Sequence, residues 1–177
     1  MASTPKLHPR NQHLGGYDFV RLVAQTPELE AFTTRNPVGQ TTINFQDAKA
    51  VRMLNRALLK AHYDVDFWDI PDGYLCPPIP GRVDYIHCLA DLLAGDNDHE
   101  IPRGRRIKAL DIGTGASLVY PLTGQSEYGW HFTGVDIDAA AIKSAQQICA
   151  FNELDVTVRQ QEIPENIFRG IIDPQDA

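Results

Sequence analysis

The chain has 177 residues, 43% of them apolar, and a formal net charge of −7. That length and composition suit one domain, or a domain with an extension, and exclude a wholly disordered chain. No apolar run approaches a membrane span and the N-terminus has no signal-peptide core. Three cysteines at no metal-ligand spacing are expected to be reduced thiols in the cytoplasm, with no metal site.

The charge is spread unevenly. Residues 1–60 hold eight Lys or Arg against four Asp or Glu, and the remainder holds eight against nineteen. A basic front on an acidic body predicts an anionic partner for the front; a chance asymmetry on solvated faces explains the same counts. Residues 1–16 read as a polar arm. His8, Arg10, Asn11 and Gln12 are of the types that bind phosphates or base edges, although a frayed terminus has a similar composition. Asp18 is placed to cap a helix whose stripe is Phe19, Leu22 and Val23, with Pro27 spoiling its far end. A turn at 35–39 precedes a short strand at 41–45. Asp47 then opens the clearest helix, with Ala50, Val51, Leu54, Ala57, Leu58 and Ala61 on one face and Lys49, Arg52, Arg56 and Lys60 mostly off it.

A proline-rich loop at 71–81 leads into a helix expected from Arg82, capped by Asp84, with Ile86, Leu89, Leu92 and Leu93 inward. Arg82 at that junction could clamp a carboxylate bidentately; composition alone makes it a surface arginine. After a polar connector, Ile107, Ala109, Leu110 and Ile112 read as a buried parallel strand ending at Asp111. Gly113, Thr114 and Gly115 form a tight turn in which a side chain would keep the backbone from a ligand, and Ala116 and Ser117 open the following helix. That helix is expected to end near Leu122, with a kink at Pro121. A second strand over 131–138 places Asp136 25 positions after Asp111. An acid there can accept from a ribose diol. Dinucleotide binders and S-adenosylmethionine (SAM) binders share this arrangement. The turn lacks the third glycine of G-x-G-x-x-G, which favours SAM; an NAD-linked oxidoreductase is the weaker rival. A helix over 138–152 and a third strand near 156–159 follow. The fold class is α/β: a Rossmann-like sheet of about three strands (residues 105–177), preceded by a mainly helical extension (residues 1–104).

Several separated motifs, in order, resemble one family. Residues 7–11 (Leu-His-Pro-Arg-Asn), Ile43-Asn44-Phe45 with Asp47 and Ala50-Val51-Arg52, residues 80–87, and residues 111–117 are similar to the bacterial 23S ribosomal RNA adenine-N6 methyltransferases and their methyltransferase-like-16 relatives. The resemblance implies SAM bound over the sheet and an adenine of structured RNA flipped into the pocket. By motif it implies Arg82 at the methionine carboxylate, Gly113, Thr114, Gly115 and Ser117 along the cofactor, Asp136 at the ribose, Asp111 supporting the turn, and Arg10 and Asn11 in an RNA-contacting arm. The family's Asn-Pro-Pro-Phe motif does not occur in the sequence. No residue is therefore assigned a catalytic role, and the chain is expected to be the N-terminal part of a longer enzyme or a fragment of one. A non-catalytic RNA-binding or ribosome-assembly module that keeps a SAM pocket is the alternative. Alone, the chain is expected to expose an open sheet edge, to be marginally stable or to self-associate. Uniformly strong amide protection in a monomer would contradict that.

Overall fold

The computed structural model describes residues 7–163, 165 and 167–172. Helix α1 (Phe19–Gln25) is capped by the Asp18 side chain, which accepts from the Arg21 N–H, and a 3-10 helix at Pro27–Phe32 takes over at the proline. Strands β1 (Thr33–Arg35) and β2 (Thr41–Ile43) pair antiparallel, Thr33 opposite Ile43. The sequence reading had only the second of these. The missed signal is local: the Asn36 side chain accepts from the Val38 and Gln40 N–H groups, closing the hairpin between two Thr-Thr pairs.

Helix α2 (Ala48–Tyr63) has the expected Asp47 cap and buries Ala50, Leu54, Ala57 and Leu58. Helix α3 spans Ile79–Gly95, beginning three residues before the expected start. Its N-cap is Pro78, with Pro80 in the first turn, where no intrahelical N–H is lost. Asp84 is therefore not a cap. Its carboxylate instead accepts from the His8 N–H at 2.6 Å and from Asn11 Nδ2 at 2.9 Å. The inward stripe is Ile79, Val83, Ile86, Ala90 and Ala94, which turns Leu92 (68% exposed) and Leu93 outward, against expectation.

Strands β3 (Lys108–Ile112), β4 (His131–Asp136) and β5 (Val156–Gln160) form a parallel sheet in that order. Strand β4 lies in the middle, paired with Leu110 opposite Thr133 on one side and Gly134 opposite Val158 on the other. Strands β3 and β5 are its edges, and Ile112 is half exposed. Helix α4 (Val119–Tyr128) begins after Leu118, which adopts a left-handed φ of 53°, so residues 116–118 belong to the turn and not to the helix. Pro121 sits in the first turn and imposes no break, and the helix runs six residues past its expected end. Helix α5 (Ala139–Phe151) is capped by Asp138, which accepts from the Ala140 and Ala141 N–H groups. The main hydrophobic core joins both parts of the chain, bringing Leu54, Leu58 and Trp68 together with Leu118, Ala145 and Ile148.

The described part of the arm, from residue 7 onward, is fastened, not frayed. Arg10 donates to the Tyr128 hydroxyl, the His87 carbonyl and Asp91, while Asn11, 3% exposed, donates to the Pro80 carbonyl as well as to Asp84. His13 is buried, with Nε2 2.8 Å from the Tyr63 hydroxyl. Burial, aided by neighbouring His62, pushes its pKa down to about 4. Its folded-state value thus lies below the unfolded one, so the unfolded chain takes up the proton first as pH falls. Stability is full above pH ~6.5 and is expected to drop by on the order of 2 kcal/mol as pH falls from there to ~4. Denaturant unfolding at pH 7.5 and 4.5 would measure it. A His13→Gln variant with an unchanged pH slope would assign the loss to other groups.

Candidate cofactor site

The turn after β3 is held from three sides. The Gly113 and Thr114 N–H groups both donate to the Val135 carbonyl, and the Gly115 N–H donates to Asp136 Oδ2 at 2.9 Å. Trp68 Nε1 donates to the Ser117 carbonyl at 2.8 Å, and Ser144 Oγ donates to the Ala116 carbonyl at 3.1 Å. Gly113 and Gly115 have φ of +78° and +63°, which L side chains rarely adopt. A Cβ at either would enter open space, so the glycines leave bare backbone facing a cleft. Thr114 and Ser117 are buried within the turn.

Two cavities flank Gly113. The first, about 250 Å³, lies between residues 113–117 on one wall and Arg82, Tyr74, Leu75 and Pro77 on the other. Arg82 is in the first turn of α3, beyond the loop–helix junction expected for it. Its Nη1 donates to the Tyr120 hydroxyl at 2.9 Å, its guanidinium carbon lies 5.7 Å from the Tyr120 ring centre, and its Nε has no partner among the described residues. No carboxylate pairs with Arg82 among the described residues, so the cavity carries an uncompensated cation. The second cavity, about 240 Å³, is lined by Gly113 and Asp136 with Ile112, Val135, Ile137 and Ile167, and is mainly apolar. Asp136 Oδ1 accepts from the Asp138 N–H at 3.0 Å; each of its oxygens keeps a further lone pair.

Arg82, Gly113, Thr114, Gly115 and Ser117 therefore line the first cavity and Asp136 lines the second, with Gly113 common to both. Asp111 does not join them. It lines a separate groove beside β3 with Tyr85, Tyr120, Trp130 and Phe132. Burial pushes its carboxyl up, eased by the Thr114 side chain and reinforced by the charge of Asp136, and its Oδ2 has no partner among the described residues. Arg10 and Asn11 lie on the fastened arm, engaged by the far half of α3 and its first turn. The sequence reading missed Tyr74, Leu75, Pro77 and Tyr120 as walls and Trp68 as support. Tyr74, Leu75, Pro77 and Trp68 carry no local signal, because they reach the site across the fold, whereas Tyr120 follows the turn directly, in the first turn of α4. Among the described residues no group of three His, Cys, Asp or Glu side chains is arranged to hold a metal ion, and no helix is long and apolar enough to cross a membrane.

The glycine turn thus has an arginine without a carboxylate partner on one side and a strand-end acid on the other. A family model described as RNA methyltransferase matches residues 1–177. The chain belongs to that family. It is 64% identical over 174 residues to the ribosomal RNA large subunit methyltransferase F of Pseudoalteromonas translucida, covering 98% of the chain and 56% of that protein. It is 56% identical to the protein of the same name from Pseudomonas savastanoi pv. phaseolicola, covering 96% and 52%. The chain thus spans about half the length of these relatives. The N-terminal domain of human METTL16 in complex with SAH matches with a TM-score of 0.82 at 30% identity, covering 96% of this chain and 64% of that one. The METTL16 catalytic domain in complex with MAT2A 3′UTR hairpin 6 matches with a TM-score of 0.76 at 32% identity, covering 89% and 54%. The Rossmann-like methyltransferase fold expected from the sequence is the fold of the chain.

Proposed function

We propose that the chain is the cofactor-binding and RNA-docking part of a SAM-dependent methyltransferase acting on N6 of an adenine in 23S ribosomal RNA. The carrying observation is that Arg82, the glycine turn and Asp136 line two cavities that share Gly113. One extended ligand with a carboxylate at one end and a ribose toward the other suits that lining. Arg82 binds the carboxylate, Asp136 accepts from the ribose hydroxyls, and Gly113, Thr114, Gly115 and Ser117 bring backbone against the ligand. The apolar walls Ile112, Ile137 and Ile167 suit an adenine ring. When bound, SAM supplies the transferable methyl group. Asp111 supports the base of the turn.

The names of the relatives support ribosomal RNA as substrate, and the hairpin complex of METTL16 supports a structured RNA. Residues 1–104 serve as the docking extension and 105–177 as the first half of the methyltransferase fold, working in the cytoplasm. The Arg10 side chain remains about one-third exposed (35%) while held by Asp91, so it can meet a phosphate, and Asn11 orients the arm beside it. No residue of this chain is given a proton-transfer role.

Calorimetric titration with SAM, with NADH in parallel, tests the reading. SAM binds and NADH does not, and Arg82→Ala weakens SAM binding by roughly tenfold or more, because the carboxylate loses its charged donor. Binding of NADH without SAM would overturn the proposal.

A further inference from the structure

We infer that Arg52 and Asn55, on α2 and outside the cleft, are positioning residues for the cavity wall that faces the glycine turn. The inference deepens the SAM reading of that cavity and rests on it. Residues 64–78, which join α2 to α3, contain no helix or strand. Their path is therefore set by side-chain contacts and not by a hydrogen-bonded ladder. Yet three of them, Tyr74, Leu75 and Pro77, are the wall opposite residues 113–117.

Arg52 and Asn55 stand three positions apart on α2, so they project toward the same side. Arg52 Nη1 donates to the Ile70 carbonyl at 2.8 Å and to Asp72 Oδ1 at 3.1 Å, and its Nε lies 3.4 Å from Asp69 Oδ1. Asn55 is 3% exposed, and its Nδ2 donates to the Pro77 carbonyl at 2.6 Å and to Cys76 Sγ at 3.1 Å. One residue thus holds the entrance of the wall segment and the other holds its exit. Between these holds, the Tyr74 hydroxyl donates to Asp138 Oδ2 at 2.6 Å. Asp138 caps α5 two residues beyond Asp136, so the middle of the segment is tied across the cleft to the ribose side. That hydrogen bond also holds the Asp138 carboxyl below its ordinary range.

The exposed ion pairs of Arg52 with Asp69 and Asp72 add little stability by themselves. The carbonyl-directed bonds from Arg52 and Asn55 have a different effect: they place a ladder-free segment relative to a regular helix. A wall displaced by about 1 Å loses van der Waals contact and hydrogen-bond alignment with its ligand. Arg52 and Asn55 therefore set affinity for the cofactor without touching it.

The test is calorimetric titration of the intact protein with S-adenosylhomocysteine, combined with hydrogen exchange and melting. Arg52→Ala is expected to weaken binding by roughly tenfold, the loss of one or two charged hydrogen bonds, and Arg52→Lys to recover part of it. In the unsubstituted protein, ligand is expected to slow amide exchange at residues 72–76. Equal affinity in a folded Arg52→Ala protein, with only a lower melting temperature, would overturn the inference by reducing Arg52 to a structural role. Should that variant not fold, unchanged exchange at 72–76 on saturation of the unsubstituted protein would overturn it instead. Absence of ligand binding by the unsubstituted protein would overturn the SAM reading and this inference together, an outcome distinct from equal affinities.

Discussion

Asp136→Ala is expected to weaken SAM binding by roughly a hundredfold or more. Two losses combine. The ribose hydroxyls lose a charged acceptor, and the turn loses the Oδ2 atom that receives the Gly115 N–H at 2.9 Å. Oδ1 also orients the Asp138 N–H, immediately ahead of α5. The truncation therefore removes ligand contacts and loosens the backbone that the ligand approaches. Asp136→Asn keeps the shape and one acceptor oxygen, so an intermediate loss is expected. Calorimetry measures both, and a melting curve for each variant separates lost contacts from a collapsed turn. An alanine variant that is folded and binds within about threefold of the original would rule out Asp136 as the ribose acid, since such a change is under 1 kcal/mol.

Trp68→Ala is expected to cost about 4 kcal/mol of folding stability. Trp68 is fully buried, in the same core as Leu58, Leu118 and Ile148. Its Nε1 donates to the Ser117 carbonyl at 2.8 Å, which makes it a direct link between the 64–78 segment and the glycine turn. Alanine leaves a large cavity and an unpaired carbonyl at once. Trp68→Phe keeps much of the apolar volume and loses the donor, and is expected to cost roughly 1–3 kcal/mol. Since small domains are stable by only about 5–15 kcal/mol, the alanine variant is expected to be partly unfolded at physiological temperature. Urea unfolding would measure both. A loss below about 1 kcal/mol for Trp68→Ala would mean that the surrounding side chains close the cavity.

What could be read from the sequence alone was local chemistry. Asp18 and Asp47 each cap the helix that follows, because a cap is made within three residues of its helix. The run from Ile107 to Asp111, the two glycines and the acid 25 positions on carry the strand, the turn and the carboxylate at the end of the next strand. Each follows from β-leaning side chains or from a backbone conformation that glycine alone adopts freely. The family resemblance raised Arg82 to a site residue, and the fold brings it to the same cavity as residues 113–117. Tertiary structure decided the rest. Asp84 has the composition of a cap, but the arm of His8 and Asn11, more than 70 positions away, claims its carboxylate. Leu92 and Leu93 read as core until the stripe from Ile79 to Ala94 turned them outward. Asp111 reads as support for the glycine turn, and only the fold shows that its side chain also lines a groove with Tyr85, Tyr120, Trp130 and Phe132. The walls made by Tyr74, Leu75 and Pro77, and the support from Trp68, belong to a segment with no periodicity to read, while Arg52, Asn55 and Tyr120 sit on helices whose apolar stripes do not show which distant groups their polar atoms meet. Their places depend on hydrogen bonds and packing between residues far apart in the chain, and such contacts exist only once the core has brought α2, α3 and the sheet together.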